Sequence, residues 1–353
     1  MKTSVICLVL VLCLLLTGCG AASAVPETAV QEFTDSTGRT VTLPAEITSI
    51  AVTGPQSQLY ILPLAGDMLV GLSSGYAPEA AKYLPEYLLE KPEIGQLYGG
   101  KGEMDLEALL SAAPDVVIDI GEAKDTLTAD LDALTKQTGI PFIHVDATVA
   151  TAPETYRTLG KLLGREEQGE KLALWCEETY SEMERLMEAV DADGARKSIL
   201  YCLGDSGTFV IAKDSFHAET INMMGNNVAV VEDVVHSGMG NEVDLEQLLV
   251  WNPDVILFAP DSIYDSVGQL DGWQGLSAIA AKNYYQTPYG PYGWLSAPPS
   301  VQQYLGMVWL GTLLYSNYVN YNLQDMVTEY YSLFYSCDLT DEMYHTLMEG
   351  AMS

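Results

Sequence analysis

Apolar and polar positions along this chain follow two periods, and the change from one to the other divides it. Residues 33–44 alternate on both sides of a Gly-containing turn, which predicts a β-hairpin. Short apolar runs at 47–52, 67–72, 116–119 and 142–145 predict strands. Helical spacing predicts a helix ending near residue 64 and another over 124–137. Strands alternating with helices imply a parallel sheet. From 153 to about 190 the strand signal stops, and Leu159, Leu162, Leu163, Leu172, Trp175, Tyr180, Met183 and Leu186 recur at helical intervals. Gly164 and Gly169 nick this stretch, so one long helix or a close pair is expected. Strand-like runs then resume at 198–202, 227–231, 255–258 and 284–287. Helices are expected at 300–315, where Pro298-Pro299 marks the start, and in the tail over 323–335 and 341–352.

One phrase occurs twice. Residues 105–116 read DLEALLSAAPDV and residues 244–255 read DLEQLLVWNPDV, an offset of 139. Each copy is a short helix, a Pro-Asp turn and a buried strand. Two similar α/β halves place a ligand most readily between them.

The first 18 residues form an export signal: Lys2, then an apolar stretch from Val5 to Leu16 too short to span a bilayer comfortably. Leu16-Thr17-Gly18-Cys19 resembles the bacterial lipobox, in which the Cys is lipidated. Residues 19–32 then serve as a flexible tether, and a lipid anchor is the expected membrane attachment. The boundaries expected downstream are 33–152 for a first lobe, 153–192 for a connecting helix, and 193–353 for a second lobe with closing helices. The chain carries 48 acidic and 16 basic residues, a formal net charge of −32. Such a surface repels nucleic acid and anionic lipid, which excludes nucleic-acid binding and leaves the acyl chain to hold the membrane. Setting aside Cys7, Cys13 and Cys19, the remaining Cys176, Cys202 and Cys337 are odd in number and lack a CxxC, which predicts buried thiols.

The mature chain resembles the class III solute-binding proteins of ABC importers, which serve iron–siderophore, haem, cobalamin and some oxyanion uptake. The resemblance lies in the order of Asp35-Ser36-Thr37-Gly38-Arg39, the two DLE…PDV units, the connecting helix, Gly225-Asn226-Asn227-Val228, Leu276-Ser277-Ala278-Ile279 and Trp294-Leu295-Ser296-Ala297-Pro298. It implies an α/β fold of two lobes, each a parallel sheet flanked by helices, joined by one long helix with the ligand cleft between them. It also implies a monomeric receptor, not an enzyme, that docks on a permease dimer. Docking falls to one acidic residue per lobe, here Glu107 and Glu246; a solvated first-turn charge on a helix dipole is the plainer alternative.

Ligand contacts are expected in loops at strand ends: Gln56, Tyr76 and Tyr98 in the first lobe, and His217, His236, Met239, Tyr289, Tyr292 and Trp294 in the second. The aromatics among Gly and Pro at 289–294 suit a large, partly apolar ligand. Arg is nearly absent from these loops, and only Lys101, Lys124 and Lys213 lie near, which favours a neutral or cationic iron chelate, haem or corrinoid. An oxyanion of the molybdate or tungstate type, held by backbone amides, is the alternative, and a cell-surface metallochaperone or enzyme is a weaker one. No His pair has metal-ligand spacing, so no metal site or cofactor is expected. Gly204-Asp205-Ser206-Gly207 lacks the partners of a catalytic triad.

Overall fold

The computed structural model describes residues 29–98 and 103–352. The signal segment and Cys19 lie outside the described residues. An antiparallel hairpin opens the fold, Val30–Thr34 on Thr40–Pro44. Its turn is organised by the buried Asp35, whose carboxylate accepts from Thr37 and Arg39. Arg39 continues to Asp132 and to the Phe142 carbonyl, fastening the hairpin to the first lobe.

That lobe is built on a parallel sheet in the order Ile50–Val52, Val116–Gly121, Phe142–Asp146. Every residue of Val116–Gly121 is buried, as a strand covered on both faces requires. The strand expected at 67–72 does not form. Gly66–Met68 is a 3₁₀ turn, and only the isolated bridges Ile50↔Leu69 and Leu72↔Glu93 follow the sheet.

The second lobe holds Tyr284–Gln286, Val255–Phe258, Ser198–Leu203 and Asn226–Asn227 in parallel, with Phe209–Val210 and Asn241–Glu242 antiparallel on one edge. The edge pairs are two residues long, too short for alternation to be read from sequence, and the run expected at 227–231 shrinks to Asn226–Asn227.

The two repeated units superpose in chemistry as well as sequence. Leu106–Ala112 is capped by the Asp105 carboxylate and Leu245–Trp251 by that of Asp244. Both end on a left-handed residue, Ala113 (φ 45°) and Asn252 (φ 38°). Asp115 then accepts from the Thr48 and Ser49 amides, and Asp254 from Ser198.

The stretch expected to connect the lobes is a pair of helices, Ala152–Leu162 and Glu166–Ala192, broken at Gly164 (φ +64°). Gly169 does not nick the second helix. It lets the two backbones touch: a Cβ there would sit 2.6 Å from the Tyr156 carbonyl oxygen and 3.1 Å from Gly160 Cα. The tail helices Gln303–Tyr315 and Leu323–Tyr335 pack on this pair and on Pro55–Ala65 of the first lobe. Trp175, Tyr304, Tyr330 and Phe334 meet edge to face or stacked at the centre. One buried cluster therefore runs from Ile50 and Ile118 of the first sheet to Ile199 and Leu257 of the second. Cross-links reinforce it: Tyr304 donates to the Val149 carbonyl at 2.6 Å, and the Glu219 carboxylate accepts from the Val149 amide at 3.0 Å. The long helix Glu166–Ala192 is thus the connector, with the tail helices bracing the lobes beside it. Cys176, Cys202 and Cys337 are free and buried, and among the described residues no helix is long and apolar enough to cross a membrane.

Candidate functional site

The segment 288–302 follows the second lobe's strand Tyr284–Gln286 and lies against the first lobe. Two hydrogen bonds tie it there. Tyr292 Oη accepts from Gln58 Nε2 at 3.2 Å, and Ser300 Oγ donates to the Gln56 carbonyl at 3.2 Å. Gln58 is fully buried on helix Pro55–Ala65 and also reaches Tyr76 Oη at 2.9 Å, while its Oε1 accepts from Ser73 N at 2.7 Å. Tyr76 meets Tyr292 edge to face with centroids 6.0 Å apart. Gln56 lies over Gly121, where a Cβ would come within 2.6 Å of the amide oxygen, so this glycine (φ +140°) gives the amide its place.

Between these two inter-lobe contacts lies Ser296. Its carbonyl bonds His217 Nδ1 at 3.1 Å. Its hydroxyl and that of Thr287 flank the phenol of the buried Tyr201; burial pushes that phenol up, and the two hydroxyls partly offset the effect. Both hydroxyls act on that phenol as hydrogen-bond partners, though neither makes a well-aligned bond. Gln302 Oε1 and Gln303 Nε2, close by in sequence, are buried without a hydrogen bond. Most buried polar atoms in folded proteins find good partners, so these weakly satisfied groups mark the segment. His217 titrates below the ordinary imidazole value because burial disfavours its charge, the Ser296 carbonyl opposing this and His236 adding to it. It is therefore neutral at pH 7, with one ring nitrogen bound to Ser296.

The other expected contacts are distributed unevenly. His236 and Met239 are exposed on the segment after Asn226–Asn227; Gly238 on that segment approaches His217. Tyr289 is half-exposed at the rim, with Glu79 of the first lobe and Asp261 of the second nearby. Tyr98 turns to its own lobe: its hydroxyl donates to Asp130 at 2.8 Å and Lys124 Nζ sits 3.9 Å over its ring. Trp294 corrects the expectation of an open aromatic face. It is fully buried, because Gly306 lets the helix Gln303–Tyr315 press onto its backbone, where a Cβ would lie 2.4 Å from its carbonyl oxygen.

A network that escaped sequence reading lies beneath the first lobe's strand ends. His144 is fully buried; Nδ1 meets Asp119 Oδ2 at 2.6 Å and Nε2 meets Asp146 Oδ1 at 2.8 Å. Asp119 in turn accepts from Thr53, two residues before helix Pro55–Ala65. Burial disfavours the imidazolium, but the two carboxylates outweigh burial and His144 titrates above its ordinary value. The only hint in the sequence is the alternation His144-Val145-Asp146, which fits an ordinary strand equally well. Among the described residues no group of three or more His, Cys, Asp or Glu side chains is placed to hold a metal ion.

Two lobes with a polar seam between them define a solute-binding scaffold, not the frame of an enzyme family. The chain belongs to the family of periplasmic binding proteins, whose pattern matches residues 51–289. Proteins of this family pair with the permease components of ABC importers and bind small ligands. The chain is 25% identical over 327 residues to the molybdate-binding protein MolA of Haemophilus influenzae, covering 86% of this chain and 90% of that one. The solved structure of MolA bound to molybdate has a TM-score of 0.69 at 20% identity, over 88% of this chain and 99% of that one. An ABC transporter solute-binding protein from Sulfurospirillum deleyianum has a TM-score of 0.82 at 27% identity, over 90% of this chain and 99% of its own.

Proposed function

We propose that this protein is a lipid-anchored receptor that captures a small oxyanion of the molybdate type between its lobes and delivers it to an ABC importer. The observation that carries the cargo is the cluster of three buried hydroxyls, Ser296, Thr287 and the Tyr201 phenol, in which Ser296 and Thr287 make no well-aligned hydrogen bond. An unpaired buried polar group costs about 1–3 kcal/mol, and an oxyanion supplies enough acceptor lone pairs to satisfy several donors at once. Neutral donors suffice for such a guest, so the scarcity of Arg and Lys in the cleft loops does not count against it. The similarity to a molybdate-binding protein supports the same reading. An iron chelate, haem or corrinoid asks for open aromatic faces, and with Trp294 buried and Tyr292 bonded to Gln58 only Tyr289 offers one freely.

Glu107 and Glu246 lie exposed in the first turns of the two equivalent helices. In this reading each pairs with a cationic group on one subunit of the permease, and Cys19 carries the acyl chain that keeps the monomeric receptor at the membrane. Calorimetric titration of the mature chain with molybdate, tungstate and sulfate, against haem, cobalamin and ferric siderophores, tests the cargo. One-to-one heats with molybdate or tungstate are expected. Saturable binding of a chelate with none of an oxyanion would reverse the assignment.

A further inference from the structure

Leu110 and Leu249 are the same residue of the duplicated unit, one in each lobe. Both are open to solvent, at 49% and 39% exposure. The preceding leucines, Leu109 and Leu248, are fully buried and anchor their helices. The pattern of exposed, intermediate and buried positions over 105–111 is repeated residue for residue over 244–250. A single surface leucine needs no explanation. An exposed leucine at the same place in both units is different: Leu249 rests in part on Gly275, yet more than a third of each residue stays open to solvent. Each lies three residues after the exposed glutamate, Glu107 or Glu246, and therefore on the same helix face. Val250, 77% exposed, widens the apolar patch in the second lobe.

We infer that Leu110 and Leu249 are twin apolar contacts for the permease, each seating in an apolar dent beside the basic group that receives the neighbouring glutamate. This rests on the assignment of Glu107 and Glu246 as docking residues. The occupant follows from the geometry. One chain that presents the same small face twice fits a partner that presents the complementary surface twice, which a two-fold dimer does. A second copy of this chain fits poorly, since it would set one acidic surface against another in a molecule of net charge −32. Carboxylate pairs give such an interface its register and on-rate, while the leucines, desolvated at its centre, lengthen its lifetime.

The test uses the mature chain and its cognate permease complex in lipid nanodiscs, with binding followed by surface plasmon resonance at two salt concentrations. Leu110→Gln and Leu249→Gln are each expected to weaken binding about tenfold, and about a hundredfold together, through a faster off-rate that salt leaves unchanged. Glu107→Gln and Glu246→Gln are expected to slow the on-rate, with an effect that fades as salt rises. Thermal melting and molybdate titration of the same leucine variants should match the parent, which separates lost docking from lost folding. If the glutamate variants weaken docking and the leucine variants do not, the leucine inference is wrong and the docking residues stand. If the parent binds the permease and neither set matters, the docking assignment itself fails. A concentration-dependent dimer of the parent chain in sedimentation velocity, lost in Leu110→Gln, would give the face to a second copy and overturn the inference.

Discussion

Removing the Ser296 and Thr287 hydroxyls should cripple ligand binding and leave the stability of the ligand-free protein nearly unchanged. Ser296 and Thr287 are buried to within a few per cent, and neither hydroxyl makes a well-aligned hydrogen bond, although both lie against the Tyr201 phenol. Poorly aligned bonds of this kind add at most about 0.5 kcal/mol each to the ligand-free fold. Ser296→Ala and Thr287→Val delete the hydroxyls and nearly keep the volume, so the double variant should melt within roughly 2 °C of the parent. Hydrogen bonds to a charged partner contribute about 1.5–3 kcal/mol each. Losing one should therefore weaken molybdate binding about tenfold to a hundredfold, and losing both by more than about a hundredfold. Differential scanning fluorimetry of the ligand-free protein and calorimetric titration with molybdate read the two effects separately. Unchanged affinity in the double variant would mean that the hydroxyls serve bound water rather than cargo. A melting point several degrees below the parent would mean that they hold the fold.

Three further outcomes follow from the geometry. The raised titration of His144 means that the folded state favours the imidazolium, so its stabilising effect is fully present below about pH 6.5 and is lost as pH rises through the higher folded value. Urea midpoints should fall across that range, and His144→Gln, which leaves Asp119 and Asp146 in place, should flatten the fall; an equal slope in parent and variant would put its source elsewhere. Gly169→Ala forces a methyl to within 2.6 Å of the Tyr156 carbonyl oxygen, so the helix pair must spread at a cost of about 1–3 kcal/mol, seen as a lower urea midpoint with molybdate affinity nearly unchanged. An acidic receptor repels its anionic cargo at long range, so the molybdate on-rate should rise as salt shortens the Debye length from about 30 Å at 0.01 M to about 10 Å at 0.1 M; a falling on-rate in stopped flow would point to a local basic cluster.

The twin lobes were readable because the duplicated phrase carries its own geometry. Asp at the cap, Leu at the buried positions and Pro-Asp before the strand each have a local cause, and the two copies corroborate each other. Gly164 was readable as a break for the same reason. The role of Gly169 was not, since a close approach between helices depends on which residue lies opposite. Trp294 misled because aromatics among Gly and Pro look the same whether a loop opens to solvent or folds onto its own core; Gly306, twelve residues further on, decides the matter. The His144 network was hidden because Asp119 and His144 lie on neighbouring strands, a pairing that no spacing along the chain encodes. The cluster of Tyr201, Thr287 and Ser296 hydroxyls was missed for a similar reason: ordinary residues from separate elements become informative only when the fold brings them together.

Crystals of the mature protein grown with molybdate, measured on both sides of the molybdenum absorption edge, would test the capture site most directly. The account predicts a single anomalous peak between the lobes, within hydrogen-bonding reach of the molybdate oxygens to Ser296 and Thr287. A saturated crystal with no peak there, or with its only peak on an outer surface of one lobe, would contradict it.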